Sequence, residues 1–219
     1  MTQHPVITTF GWVPEFARGF VRDLRPRWAF EEVGQPYDVN YIAIEFAKTP
    51  PHRAYQPFGQ VPTYKDETVE IFESGAMVLH IAERAGKLIP ADPAGRAKMI
   101  QWLIAALNTI EPRVMALVIN DVFEADRAWA KDRRPVVLET LESGLADLAG
   151  ALGDKTWLDG DMFTAGDLMM VSVLGGLRGT NVLDRHPRVA AYVERGEARP
   201  AHRKAMADHL AVFADAAAA

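Results

Sequence analysis

The stretch that decides the fold runs from Phe58 to Gly86 and reads FGQVPTYKDETVEIFESGAMVLHIAERAG. Two short runs of β-forming residues flank a turn at residues 65–67, which predicts a hairpin. Pro62 opens the first strand, where its missing N–H does least harm to the ladder. A helix then begins near Glu73 and ends at Gly86, since glycine commonly follows a helix C-terminus. The stretch therefore predicts a ββα unit.

The residues before this stretch complete the pattern. The segments PVITTFGW (5–12) and YDVNYIAI (37–44) are rich in β-branched and aromatic residues and predict two strands. Between them a helix is predicted from Asp23, a good N-cap, to Gly34. The resulting order is βαβ, a proline-interrupted segment, and ββα. It predicts a small four-stranded sheet flanked by helices.

The second half of the chain has a helical pattern. Apolar residues recur every three or four positions, as at Ile100, Leu103 and Leu107. Two prolines interrupt the chain just before this pattern begins. The expected organisation is an N-terminal domain of residues 1–86, a linker of 87–95 and an all-helical C-terminal domain of 96–219.

Composition limits the classes of function. The net charge of −5 and the isoelectric point near 5.7 argue against binding to nucleic acid or to anionic membranes. The 219 residues include no cysteine, which excludes disulfides, thiolate zinc sites and a cysteine nucleophile. The six histidines show no metal-ligand spacing, so we expect no metal. Neither a signal peptide nor an apolar run of about 20 residues is evident, which favours a cytoplasmic protein.

Glu73 and Ser74 lie where the second hairpin strand gives way to a helix. Free backbone N–H groups and the positive end of the helix dipole make such a turn an anion site. The serine hydroxyl adds a donor, and the glutamate can pair with an ammonium group. Together they could hold the head group of an amino acid. The alternative is that one of them only caps its own helix.

The run from Pro57 to Pro90 resembles the glutathione-binding half of the cytosolic glutathione transferase family, in its bacterial type. The likeness rests on a strand that opens in Gln-Val-Pro and on Glu-Ser at the start of a helix. The segments RWAFEEVGQPYDV, RAKMIQWLIAALNTIEP, FTAGDLMMVSVL and EARPAHRKA resemble further parts of the family in the right order. The resemblance implies an α+β thioredoxin-like N-terminal domain, an all-α C-terminal domain and a homodimer.

The resemblance also implies roles for individual residues. In the family the proline of this motif is cis, which here is Pro62. The residue before it, Val61, pairs through its backbone with the cysteinyl part of glutathione. Glu73 and Ser74 hold the γ-glutamyl group, and Gln60 is a candidate lining residue. Glutathione is then a co-substrate, with a small electrophile as the second substrate and no metal.

The sequence departs from the family at the catalytic position. Members of the family activate the glutathione thiol with a Tyr, Ser or Cys just after the first strand. Here the first tyrosine is Tyr37 and the first serine is Ser74, both too late in the chain. Thr8 and Thr9 lie within the predicted strand on opposite faces, so at most one of them points toward the site.

The loop after the first strand, GWVPEFARGFVRDLRPRW, is longer than the family usually carries and is rich in arginine. A nearby cation or donor lowers the pKa of a thiol, which is about 8.5 when free. The catalytic candidates are therefore Trp12, Arg18 and Arg22, and Arg25 also lies in this segment. The alternative is that these arginines are solvated or pair with acidic neighbours.

The sequence thus predicts an enzyme that transfers the glutathione thiolate to a small, hydrophobic electrophile. Two alternatives stay open. One is a binding protein of the same fold that has lost catalysis, which is indicated if Phe16 or Phe20 fills the site. The other is a glutathione-dependent reductase of peroxides or disulfides that uses the sulfur of glutathione itself.

Overall fold

A computed structural model describes residues 4–215 of the chain. They divide into two compact units. The first combines the chain up to Leu88 with the chain from Arg199 onward, and the second is Ile89–Ala198. The division at Leu88 falls within the stretch expected as a linker. The last helix, however, belongs to the first unit, whereas the sequence assigns all of 96–219 to the helical domain.

The expected order of strands and helices is present. The first unit contains β1 (Val6–Phe10), α1 (Leu24–Val33), β2 (Asp38–Ile42), α2 (Pro50–Arg53), β3 (Thr63–Lys65), β4 (Glu70–Phe72) and α3 (Ser74–Ala85). The second contains α4 (Pro93–Ala105), α5 (Glu111–Val118), α6 (Ala130–Leu152), α7 (Ala165–Leu174) and α8 (Pro187–Glu197). Helix α9 (Pro200–Asp215) completes the first unit.

The first unit is built on a mixed sheet with strand order β2-β1-β3-β4. β1 is parallel to β2 and antiparallel to β3, and β3 and β4 form the predicted hairpin. The parallel pair requires a crossover connection, which α1 supplies. Helix α1 packs against both α3 and α9. The fully buried side chains at this centre include Ile7, Trp28, Tyr64 and Met77.

Helix α1 begins where the sequence predicts, but for another reason. Asp23 occupies the N-cap position without making a side-chain cap. Its carboxylate is instead fully buried and accepts a hydrogen bond from Arg27 Nε over 2.7 Å. The predicted end is present, because Gly34 follows α1 in the left-handed conformation with φ 73°.

The second unit is all helical. Helices α4 and α5 form one continuous helix, Pro93–Phe123, interrupted by π turns at Ala106–Ile110 and Ile119–Phe123. The first π turn ends two residues before Pro112, which has no amide N–H to continue the ladder. By length and composition alone this 31-residue helix could cross a membrane, with a mean hydropathy of 1.4 over its most apolar window. Core helices of soluble proteins often have the same composition.

The FTAGD segment forms the helix start that its pattern predicts. Thr164 and Asp167 make a capping box at the N-terminus of α7. Asp167 is fully buried and also accepts hydrogen bonds from the backbone N–H of Leu158 over 2.9 Å and the hydroxyl of Tyr192 over 3.0 Å. Burial nevertheless raises the pKa of Asp167 above its usual value, despite these bonds. The segment stabilises the second unit.

Candidate functional site

The predicted glutathione-binding residues lie at one end of the β3–β4 hairpin. Thr63 pairs with Phe72, so the residues just before Thr63 lie beside those just after Phe72. The Val61–Pro62 peptide bond is cis, as the resemblance implies. Because the β1–β3 ladder ends at Thr63, the backbone of Val61 lies outside it. Gln60 is exposed, and its carbonyl lies 2.7 Å from the Nε2 atom of His52.

Glu73 and Ser74 form the other half of this site. Glu73 is exposed and has φ 72° and ψ 114°, a conformation that non-glycine residues rarely adopt. Its side chain does not cap α3. Ser74 is buried, with 4% of its surface exposed. Capping therefore does not account for Glu73, and an unusual backbone at such a position is common at ligand sites.

A buried arginine connects the N-termini of α1 and α3. Arg25 is 6% exposed, and its NH1 group donates to Ser74 Oγ over 3.0 Å. Since Ser74 Oγ accepts this bond, its own O–H remains a donor for another acceptor. The guanidinium is permanently charged, and the positive ends of two helices lie beside it. This edge of the unit is suited to a carboxylate.

The three catalytic candidates lie in the loop between β1 and α1. Trp12 is 52% exposed, and Arg22 is also exposed. Arg18 is partly buried, and its guanidinium carbon lies 5.8 Å from the centre of the Phe213 ring. Arg18 Nε is buried and makes no hydrogen bond to any residue that the structure describes. Of the two candidate arginines, Arg18 is therefore the one that is partly buried and has its guanidinium against an aromatic ring.

The two threonine hydroxyl groups of β1 have different surroundings. Thr8 Oγ1 accepts a hydrogen bond from Asn40 over 3.4 Å. Thr9 is 2% exposed and shares the buried face of β1 with Ile7. Thr8 is partly exposed, and its own O–H remains a donor. Thr9 Oγ1 is buried and makes no hydrogen bond to any residue that the structure describes.

The two phenylalanines of the loop are open to solvent. Phe16 is 52% exposed and Phe20 is 42% exposed. Each ring is therefore only partly buried, and the alternative of a binding protein without catalysis stays a hypothesis.

A buried polar network ties this loop to α9. Asp23 Oδ2 lies 3.3 Å from His209 Nδ1, and His209 Nε2 accepts from the backbone N–H of Gly19 over 3.2 Å. Arg27 bonds Asp23 and also donates to the Tyr41 hydroxyl over 3.3 Å. Burial acts to raise the pKa of Asp23, but the bond from His209 and the charge of Arg27 hold it below 3.8. A carboxylate is thus kept ionised in the interior.

A second polar cluster fixes the hairpin turn. Asp66 accepts hydrogen bonds from the hydroxyl of Tyr64 over 2.7 Å and from the backbone N–H groups of Thr68 and Val69. His80 Nε2 on α3 lies 3.0 Å from the same carboxylate. His80 therefore has a structural role, since it connects α3 to the hairpin turn. Within residues 4–215 no three histidine, aspartate or glutamate side chains come together as a metal site.

The sequence does not indicate every contact at this site. For Arg25 the sequence indicates only that the residue lies in the first turn of α1. A βαβ unit brings that turn to the same edge of the sheet as Ser74. For His209 there is no signal at all. Its partners Gly19 and Asp23 are 190 and 186 residues away in the chain.

Comparison with known protein families matches both parts of the chain. Residues 8–83 match the model described as glutathione S-transferase, N-terminal domain. Residues 113–195 match the model described as glutathione S-transferase, C-terminal domain. The two matches occur in chain order and agree with the two compact units in their type of secondary structure.

Individual relatives agree with these matches. The chain is 31% identical over 168 residues to a glutathione S-transferase of Hyoscyamus muticus, covering 73% of this chain and 79% of that protein. It is 26% identical over 213 residues to glutathione S-transferase 4 of Zea mays, covering 91% and 92% of the two chains.

Solved structures share the fold. A glutathione transferase family member from Pseudomonas fluorescens, solved with two glutathione bound, superposes with a TM-score of 0.82 at 21% identity and covers 93% of this chain and 92% of that one. Glutathione transferase F2 from Populus trichocarpa gives 0.81 at 21% identity, covering 94% and 99%. The expected α+β thioredoxin-like and all-α architecture is confirmed. With both domain models matched and a 31% identical relative covered over most of its length, the chain belongs to the glutathione S-transferase family.

Proposed function

We propose that the protein is a glutathione transferase that moves the thiolate of glutathione onto a small electrophile. The main support is the register of the β3–β4 hairpin, in which Val61 shares one end of the hairpin with Glu73 and Ser74. An extended peptide can pair with the free backbone of Val61 and reach the N-terminus of α3 with its charged head group.

Each residue of this edge has a role in the proposal. The backbone of Val61, before Pro62, pairs with the cysteinyl part of glutathione, and Gln60 lines the same region. Ser74 donates to the γ-glutamyl carboxylate, and Glu73 pairs with the γ-glutamyl ammonium. The buried charge of Arg25 beside Ser74 supports the carboxylate end, because the low local dielectric strengthens the attraction.

Arg18 is the proposed activator of the thiol, with Arg22 and the indole N–H of Trp12 as further candidates. A positive charge within about 4–6 Å lowers the pKa of an acid by about 1–3 units. The thiol proton passes to solvent water, and the resulting thiolate attacks the electrophilic carbon, so that the C–S bond forms while a leaving group such as chloride departs with the electron pair of its broken bond. The protein supplies positioning and electrostatic stabilisation.

The test measures glutathione binding by calorimetry and the thiolate absorbance of the complex from pH 5 to 9. We expect the native protein to bind glutathione and to lower its thiol pKa well below the free value. Arg18→Met should raise the pKa of the bound thiol by about 1 unit, while Arg18→Lys should keep part of the effect. Arg203→Met, an exposed arginine of α9, is the matched control.

Two results would contradict the proposal. If glutathione does not bind, the roles given to Val61, Glu73 and Ser74 are wrong, and the transferase proposal falls with them. If it binds with the thiol pKa of free glutathione, the protein is a glutathione-binding protein without catalysis. The latter is the second candidate function, and it is favoured by the absence of a Tyr, Ser or Cys before Tyr37 in the chain.

The remaining parts of the proposal concern the acceptor, the assembly and the cell compartment. We propose a hydrophobic acceptor and a homodimer in the cytoplasm. The dimer is proposed from membership of the glutathione S-transferase family. Sedimentation velocity measures the assembly state directly, and a monomer at micromolar concentration would contradict this part.

A further inference from the structure

Helix α9 presents two aromatic side chains to the loop that carries Arg18. His209 and Phe213 are one helical turn apart, which puts them on one face of α9. They are 2% and 3% exposed, and their rings meet edge to face with centroids 5.2 Å apart. Neither belongs to the proposed glutathione-binding residues. Phe213 contacts Arg18, and His209 contacts Gly19, the next residue of the loop.

The hydrogen bonds of His209 assign its tautomer. The backbone N–H of Gly19 can only donate, so His209 Nε2, at 3.2 Å, is the unprotonated nitrogen. Nδ1 therefore carries the proton and donates to Asp23 Oδ2 at 3.3 Å. One imidazole thus joins the middle of the loop to the carboxylate just before α1.

Phe213 contacts the same loop one residue earlier. Its ring lies 5.8 Å from the guanidinium carbon of Arg18, which is within the range of a cation–π interaction. The neighbouring Gly19 has φ 81°, so the chain turns sharply where His209 holds it. Helix α9 therefore supports the backbone beside Arg18 and the guanidinium itself.

We propose that His209 and Phe213 are positioning residues that hold the Arg18 guanidinium near the glutathione thiol. The proposal rests on the proposed function, since it deepens the role given there to Arg18. Neither side chain touches the sulfur, and each acts through Arg18. Because a Coulomb interaction weakens with distance, a loop released by α9 should leave glutathione bound but its thiol less acidic.

A matched pair of variants at His209 tests this. Asn places its amide near the position of Nδ1, so His209→Asn keeps a donor for Asp23 and removes the acceptor for Gly19. Gln reaches the position of Nε2, so His209→Gln keeps an acceptor for Gly19. We expect His209→Asn to raise the pKa of bound glutathione by about 1 unit and His209→Gln to restore most of the native value.

The dissociation constant of S-methylglutathione, which has no ionisable thiol, distinguishes a displaced Arg18 from a damaged glutathione-binding site. It should be unchanged in both variants, because the glutathione-binding residues are intact. Native thiol pKa values in both variants, or equal rises in both, would overturn the role of the Gly19 bond. If the native protein itself does not lower the thiol pKa, it is the proposed role of Arg18 that fails.

A second pair keeps the test informative if His209→Asn does not fold. Phe213→Leu removes the aromatic face beneath Arg18 but keeps an apolar side chain, whereas Phe213→Tyr keeps the face. The Leu variant should raise the thiol pKa and the Tyr variant should not. A native pKa in Phe213→Leu would overturn the role of the ring.

Discussion

Arg25 combines two properties that rarely occur together in one side chain. It is a permanently charged side chain with only 6% of its surface exposed, and it donates to the hydroxyl of Ser74. The hydroxyl of Ser74 keeps its own O–H as a donor, and the charge of Arg25 beside it favours a carboxylate bound at this position. The contact therefore predicts that glutathione affinity depends on Arg25 as well as on Ser74.

Ser74→Ala should weaken glutathione binding at least about tenfold, because the hydrogen bond that Ser74 donates to the charged carboxylate contributes about 1.5–3 kcal/mol. Arg25→Met should weaken it by a similar factor, because it removes the positive charge beside that carboxylate. Since Arg25 acts partly through Ser74, the double variant should lose less than the product of the two single effects. Calorimetric titration of all four proteins measures this coupling.

Arg25→Lys is the matched control for the charge alone, and thermal unfolding shows whether each variant is folded. Fully multiplicative losses in the double variant would mean that Arg25 and Ser74 act on glutathione separately. An unchanged affinity in folded Arg25→Met would remove Arg25 from the site.

Some residues of this site can be predicted from the sequence and others cannot, because only some of them depend on local structure alone. The helix start at Glu73 and Ser74 follows from a contiguous stretch whose turn, proline and strand are local, and the backbone role proposed for Val61 rests on the family resemblance. The contacts of Arg25 and His209 depend on tertiary packing across many residues. Asp23 shows the difference, since the sequence assigns it a local cap and the structure gives it distant partners.

The β3–β4 hairpin also combines a turn that can be predicted from the sequence with tertiary contacts that cannot. Its two strands have only three residues each, too few to be stable by pairing alone. Asp66 compensates by bonding Tyr64 on β3, the backbone of the turn, and His80 and Arg84 on α3. The carboxylate thereby fixes the hairpin to the helix that begins at Ser74. The turn is predictable from sequence, but this anchoring is not.

Asp66→Asn should destabilise the protein by about 2 kcal/mol at neutral pH, because an amide cannot accept all of these bonds. Burial acts to raise the pKa of Asp66, but the bonds from His80, Tyr64 and Thr68 hold it well below 3.8. The native protein therefore has this stabilisation above pH 3.8 and loses it as the pH falls through the folded pKa. Urea unfolding at several pH values should show the difference between native protein and variant shrinking below about pH 4.

Glu67→Gln alters the neighbouring, exposed carboxylate of the same turn and is the control. Its stability should match that of the native protein at pH 7. A difference between Asp66→Asn and native protein that stays constant down to pH 3 would mean that the charge of Asp66 is not what stabilises the hairpin.

Helix α9 lies in the C-terminal part of the chain but belongs to the first unit. Its helical periodicity is evident in the sequence, but periodicity does not tell which unit a helix joins. Contacts made by side chains decide this. Arg199 bonds the carboxylate of Glu32, and His202 meets the buried Trp28 edge to face with ring centroids 4.6 Å apart. The first unit therefore includes α9, and the second unit is inserted in the chain between its two parts.

A chain that ends at Ala198 should consequently lose order in the first unit while the second keeps its fold. Without α9, Trp28 loses the ring that packs against it, and Asp23 loses its bond to His209. We expect hydrogen exchange to become fast in β1 and α1 and to stay slow in α7, together with loss of glutathione binding. A chain shortened only by the last four alanines is the control. If β1 and α1 stay protected without α9, the helix is an addition to the first unit and not part of its core.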